Sequence, residues 1–300
     1  MNNQVLITGA SGMIGKALVK ALLQRGYQVS MLSRQAKPIP NTRVFLWNVD
    51  NQAIDTGCFE GVSTIIHLAG ENISEGKWTE KRKQQIIDSR VNATKLLYRG
   101  LASIPNQVQT IISASAIGIY GNRGDELLKE SAEQGEGFLA QTCALWENAV
   151  DEGKELGLRI VKLRTGVVLD KHHGALPAMA KPVQLFLAAA IGSGKQWVPW
   201  IHMQDLVNMY VMAIENPISG TFNATAPAPA SNETLMRTLA KVLKRPFWPI
   251  HVPVFALKAL MGEMSEIALN STNTSAQKIL DAGFKFKFNT LQDALKDIYK

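Results

Sequence analysis

Short apolar runs alternate with longer amphipathic ones across the first two-thirds of this chain, and that alternation constrains its architecture more than any other feature. "QVLIT", "YQVSMLS", "TRVFLW", "STIIHLAG", "VQTIISAS" and "LRIVKLRTG" have the length and β-branched content of buried strands. Between them lie helical patterns such as "MIGKALVKALLQRG", where Ile14, Leu18, Ala21 and Leu22 recur at helical spacing and Gly26 reads as a C-cap. "EKRKQQIIDSRVNATKLLYRGLAS" and "GFLAQTCALWENAVDEGKELG" are two more. Strands alternating with helices of this length imply right-handed crossovers and a parallel sheet covered on both faces. The expected class is α/β, a doubly wound parallel sheet. After residue 170 the pattern changes. Residues 170–200 are rich in Gly, Pro and Trp, and the tail carries helix patterns at 231–244, 254–269, 274–282 and 290–299, with "PFWPIHVP" and "FKFKF" as extended pieces. This predicts a sheet domain over 1–169, with 201–226 returning to it. A smaller C-terminal lobe is predicted from 170–200 and 227–300.

At 300 residues, 46% hydrophobic, the chain can bury a sizeable core without staples. Cys58 and Cys143 suggest no disulfide framework, and a reducing, cytoplasmic setting is expected with both thiols buried. "MNNQVLITGAS" has no signal-peptide pattern, and "LFLAAAI" is too short to span a bilayer, so no membrane partner is expected. The net charge of +7 is dispersed. Its densest cluster, "EKRKQ", carries an acid on a helical pattern, and no nucleic-acid motif accompanies it. A mild positive excess suits an anionic ligand, or simply a solvated basic surface. His172 and His173 have no third ligand at useful spacing, so no metal site is expected.

"LITGASGMIG" places Gly9, Gly12 and Gly15 between the first strand and the first helix, in the pattern G-x-x-G-x-x-G. Gly9 permits a tight turn, Gly12 lets backbone approach a pyrophosphate, and Gly15 lets helix pack close to sheet. The helix N-terminus offers free N–H groups to phosphate, with Ser11, Met13 and Ile14 supplying backbone contacts. The second strand ends in Ser33 and Arg34. An acid there would hold ribose hydroxyls and repel a 2'-phosphate. Serine can donate to that phosphate and arginine can make a charge-assisted contact, so the pattern favours NADP(H) over NAD.

"TGASGMIG", then "HLAG", then a serine near the end of the fifth strand resembles the extended form of the short-chain dehydrogenase/reductase superfamily. "LAGENI", "SASAIGIYG", "RTGVVL", "GSGKQWVPWIHMQDL" and "AGFKF" resemble its atypical epimerase-like subgroup over nearly the whole chain. The resemblance implies a Rossmann domain, bound NADP(H), a C-terminal substrate lobe and a possible homodimer formed through the two long helices. It places Leu68, Ala69 and Gly70 beside the adenosine and ribose. It puts Gln85 and Arg90 at cofactor-contacting helix positions and Val167 on the nicotinamide side. It makes Ser115 the serine that polarises a carbonyl or hydroxyl. The usual Tyr-x-x-x-Lys pair falls on Leu139 and Cys143, and no tyrosine in the chain has lysine at that spacing.

Three readings follow. Chemistry survives with Tyr120, Glu71 or His202 as acid or base; or the protein binds NADP(H) as a sensor or scaffold without turnover; or Ser115 is a strand-end hydrogen bonder. A phenol is chemically adequate, Glu71 follows "LAG", and His202 titrates near neutrality. Equally, Tyr120 reads as a packed turn aromatic, Glu71 as part of a helix cap, Asp205 as the cap of "LVNMYVMAIEN", and His202 as a buried structural histidine. Trp197 and Trp200 read as pocket walls or as lobe cement, and Cys143 as a buried thiol. The expected function is NADP-dependent oxidoreduction of a hydroxyl or carbonyl compound, or epimerisation of a nucleotide-sugar type. A non-catalytic NADP(H)-binding role is the alternative.

Overall fold

The computed structural model describes residues 3–37 and 39–300. The glycine turn joins β1 (Gln4–Thr8) to α1 (Met13–Gln24). Next come β2 (Gln28–Ser33), β3 (Thr42–Asn48), the short β4 (Ala53–Ile54), β5 (Thr64–His67) and α2 (Glu80–Ser103). β6 (Thr110–Ala116), β7 (Leu127–Leu128), α3 (Phe138–Asp151) and β8 (Arg159–Thr165) continue the alternation. β9 (Val167–Leu169), α4 (Ala175–Gln184), β10 (Ala188–Ile191), β11 (Trp197–Val198) and β12 (Trp200–His202) lead into α5 (Met203–Glu215) and β13 (Gly220–Ala224). The tail holds β14 (Ala230–Ser231), α6 (Asn232–Val242), β15 (Phe247–Val252) and α7 (Val254–Met261). α8 (Glu266–Leu269), β16 (Asn273–Thr274), α9 (Gln277–Asp281) and α10 (Leu291–Ile298) close the chain.

The main sheet has eight strands in the order β13-β8-β6-β5-β1-β2-β3-β4. Its pairs are parallel except β3 with β4. The sheet is α/β and doubly wound, as expected. Strands alternate their side chains between two apolar layers. Val5 and Ile7 join Leu18, Leu22, Met209 and Tyr210 on the α1/α5 face, while Leu6 joins Leu96, Leu97 and Trp146 on the α2/α3 face. The chain winds outward through β2 and β3 on one side of β1, and through β5, β6 and β8 on the other. The order therefore reverses between β1 and β5, which opens a crevice at their C-terminal ends. A third apolar cluster gathers α4, α6 and α10 around the fully buried Trp200.

Two tail elements depart from the sequence pattern. The helix expected over 254–269 breaks at Gly262, whose φ of 59° ends α7. "FKFKF" forms no strand, yet Phe284, Phe286 and Phe288 are all buried. Its backbone is held by Asp205, whose two carboxylate oxygens accept from the N–H groups of Lys287 at 2.9 Å and Phe288 at 3.0 Å. Asp205 is thus a tether between α5 and the tail. The cap of α5 is His202, whose ring Nδ1 accepts from Gln204 N–H at 3.1 Å. Replacing Asp205 by Ala strands two buried donors and is expected to cost about 2–3 kcal/mol. Chemical denaturation of the variant measures this, and a change within experimental scatter of zero would refute the tether.

Candidate functional site

The crevice between β1 and β5 is built by glycine. Gly9 sits at φ 69°, and a Cβ there would lie 2.9 Å from the Leu68 carbonyl carbon. A Cβ on Gly15 would overlap the Gly9 carbonyl and the Ala10 backbone, so α1 reaches the sheet only through glycine. Gly12 is the N-cap of α1. No side chain caps this helix and its first turn carries no acid, while the Gly12 N–H itself donates to the Gly9 carbonyl at 3.0 Å. A cavity of about 1250 Å³ opens there. Gly9, Ser11, Gly12, Ser33, Arg34, Leu68, Ala69, Gly70, Glu71 and Gln85 line it, together with Arg82 and Asn92, which the sequence reading did not single out. Met13, Ile14 and Gly15 follow in the first turn of α1 and do not line it, and the Met13 thioether lies toward Gly174.

The rim at Leu68–Gly70 is fixed by a buried relay that sequence reasoning missed. Thr8 Oγ1 accepts from the N–H groups of Leu68 and Ala69 at 3.1 and 3.2 Å. Its own proton therefore goes to His67 Nδ1, 2.8 Å away. Thr94 gives its hydroxyl proton to the Arg90 carbonyl at 2.7 Å, so His67 Nε2 must donate to Thr94 Oγ1 at 3.0 Å. The ring is thus the neutral Nε2–H tautomer. Burial lowers its pKa to about 4, consistent with that state. The faint signal in the sequence was a histidine and two threonines at strand and helix positions otherwise apolar.

Across the cavity mouth, Glu71 is held between two arginines. Arg34 Nη1 meets one carboxylate oxygen at 3.2 Å and Arg82 Nη1 the other at 3.1 Å. Two residues given separate roles by the sequence thus touch each other, and Glu71 stands at the β2 end of the cavity as an ion-pair partner. Ser33 Oγ accepts from Gln35 N–H at 3.2 Å and shapes the turn behind Arg34. Arg90 does not line the cavity. Its guanidinium donates to the Ile86 carbonyl at 2.9 Å and the Glu71 carbonyl at 3.0 Å and stacks 5.2 Å from the Trp146 ring centroid. It buttresses the rim through Gly70, whose added Cβ would lie 3.1 Å from the guanidinium carbon.

The proton-transfer candidates are committed elsewhere. Ser115 is buried, and its hydroxyl donates to Glu147 at 2.6 Å. Glu147 is gripped by Arg164 through two bonds of 2.8 and 3.0 Å and by Lys162 at 3.3 Å, and Lys162 also pairs with Asp151 at 2.8 Å. Burial alone would raise the Glu147 pKa. The bonds and charge of Arg164, with help from Ser115 and Lys162, outweigh it and hold the group below the usual carboxylate range. Tyr120 is fully buried. It accepts from Arg164 at 2.9 Å and donates to Asn223 at 2.7 Å, and burial raises its pKa. His202 is 7% exposed, stacks 3.9 Å from Phe288 and is pushed down to about 4 by burial. Leu139 and Cys143 pack on the turn after β6, against Gly118, and burial pushes the Cys143 thiol up to about 12. Val167 opens β9, pairs with Trp200 and packs on the lobe core. Trp200 cements that core through a bond to the Ala228 carbonyl at 2.9 Å, and Trp197 donates to Asp125 at 2.8 Å.

Residues 5–224 match the model of the NAD dependent epimerase/dehydratase family, and residues 252–298 match a domain of unknown function, DUF1731. The chain is 36% identical over 298 residues to the epimerase family protein YfhF of Bacillus subtilis, covering 98% of this chain and 97% of that protein. It is 34% identical over 302 residues to the chloroplastic SDR39U1 homologue of Arabidopsis thaliana, covering 98% and 86%. The crystal structure of the human epimerase family protein SDR39U1 with NADPH superposes with a TM-score of 0.85 at 28% identity, covering 99% of both chains. The UDP-glucose 4-epimerase of Thermus thermophilus shares the fold, with a TM-score of 0.77 at 18% identity. The chain belongs to the NAD-dependent epimerase/dehydratase family.

Proposed function

We propose that this protein is an NADP(H)-binding member of its family in which cofactor binding, rather than epimerisation, is the function. Arg34 and Arg82 closing on Glu71 at the end of β2 carry the reading: they form a cationic bracket where an NAD-selective site would present an acid. The uncapped N-terminus of α1 and the space over Gly12 suit a diphosphate, and the 2'-phosphate would replace the Glu71 carboxylate on Arg34. The NADPH bound by the human relative agrees with this assignment. Residues 170–200 and 227–300 then act as the lobe over the nicotinamide end.

Binding is favoured over epimerisation by the state of the acid–base candidates. Epimerisation through a keto intermediate would take a proton from a hydroxyl while a bound nicotinamide accepted the hydride from its carbon, and would then return both, so it needs a side chain free to hold that proton. Ser115 and Tyr120 are locked in an ion network, His202 caps a helix, and Glu71 keeps Arg82 even where a 2'-phosphate takes Arg34. The test is titration of NADPH and NADH into the full chain, with cofactor absorbance followed on addition of hydroxyl and carbonyl compounds, nucleotide sugars among them. Arg34→Glu is expected to weaken NADPH roughly ten- to a hundredfold, the worth of one charge-assisted bond, while NADH changes little. Glu71→Gln frees Arg34 and should tighten NADPH. Equal affinity for both dinucleotides would overturn the 2'-phosphate assignment. Steady substrate-dependent turnover abolished in Ser115→Ala would overturn the non-catalytic reading.

A further inference from the structure

The C-terminal lobe carries a surface that neither the core nor the cavity uses. Residues 185–187, at the exit of α4, are Leu-Phe-Leu, and all three are more than half exposed. They run into β10, which pairs with β15, so they sit beside Trp248, whose Nε1–H donates to the Phe186 carbonyl at 2.7 Å. Along β15, alternate residues Trp248, Ile250 and Val252 lie on one face and are exposed. α7 follows directly and buries none of its residues; Phe255 and Leu260 are 76% and 82% exposed. Scattered surface leucines are ordinary, but large apolar side chains exposed together on three segments adjoining in the chain or the sheet mark an interaction site.

The acids nearest in sequence to this face, Glu233 and Glu263, are paired with Arg237 and Lys83, and the segments between carry only cations. No acidic residue occurs from 234 to 262 or from 171 to 204. Lys241, Lys244, Arg245 and Lys258 form no ion pair among the described residues, and Arg245 lies over the Phe186 ring at 4.5 Å. Cations thus border the apolar residues directly.

We infer that this face docks on an anionic lipid bilayer surface. Exposed Trp and Phe beside leucine, rimmed by unpaired Lys and Arg, is the chemistry of an interfacial binder: apolar side chains enter the acyl boundary while cations meet the headgroups. No helix among the described residues is long and apolar enough to cross a membrane, so the attachment is peripheral. A second copy of the chain fits poorly, because a two-fold contact would set one cationic rim against another. This revises the sequence expectation of no membrane partner. Hydropathy windows detect spans, whereas this face is assembled from three short segments.

The test is sedimentation of the full chain with vesicles of phosphatidylcholine alone or mixed with phosphatidylglycerol. The protein should pellet with the anionic vesicles, stay in solution with the neutral ones, and be released by high salt. Each cation near the surface is worth roughly fivefold in binding, so Lys244→Gln with Arg245→Gln should weaken it roughly thirtyfold. Phe255→Ser should weaken it about tenfold or more. These side chains are exposed, so unchanged melting temperature and NADPH affinity in the same variants separate lost docking from lost fold. No pelleting with anionic vesicles overturns the inference. So does a concentration-dependent dimer that Phe255→Ser dissolves, which would assign the face to a second copy.

Discussion

Glu147→Ala should destabilise the protein by about 3–5 kcal/mol, a large share of the stability of any domain. The carboxylate is 6% exposed and neutralises Arg164 and Lys162, each 7% exposed, while accepting the Ser115 hydroxyl. Truncating it leaves Arg164 buried without its carboxylate, weakens the hold on Tyr120, and leaves the serine proton without an acceptor. Ser115→Ala removes only one bond from the same network and should cost about 1 kcal/mol. Urea denaturation of both variants measures the contrast. If Glu147→Ala and Ser115→Ala cost the same, the arginine is not held by this carboxylate. Both effects are on stability, because the network lies in the interior of the fold.

Acidification should weaken the fold in a window set by two histidines. His67 and His202 each have a pKa of about 4 in the folded protein against an ordinary value of 6.5. Between those values the unfolded chain binds more protons than the folded one. Their contribution is therefore complete above about pH 6.5 and drains away as pH falls toward about 4. At 1.36 kcal/mol per unit, the loss is about 3 kcal/mol for each ring. Glu147 acts in the same direction but lower, because its folded pKa lies below the usual carboxylate range and its contribution is lost only as that range is passed. Denaturant midpoints across this range are the measurement. His202→Asn keeps a good N-cap and removes the titration, so it should flatten about half of the slope. A profile in His202→Asn as steep as that of the parent would show that His202 is not the group involved. The same acidification should loosen the Leu68–Gly70 rim, because protonating His67 Nδ1 evicts the Thr8 hydroxyl proton that it accepts.

The glycine turn and the alternation of strand and helix were legible because each is a local statement. A Cβ does or does not fit, and a run is or is not apolar at one period. Asp205 and His202 were harder. Both stand at the start of one helix, and either residue type can cap it. Only the approach of Lys287 and Phe288 engages the Asp205 carboxylate elsewhere and leaves the cap to His202. Glu71, Arg34 and Arg82 come from three separate segments and meet only because β2, β5 and α2 converge on one crevice.

The sequence by itself determined the sheet, its two apolar layers and the glycine cradle at its switch point, since period and the missing Cβ atoms act within a few residues. Tertiary structure alone decided what Ser115, Tyr120 and Arg90 bond to. A hydroxyl, a phenol or a guanidinium is defined by the partner within hydrogen-bond reach. Glu147, Asn223 and the Glu71 carbonyl are each brought to that distance by packing across the fold, not by chain proximity.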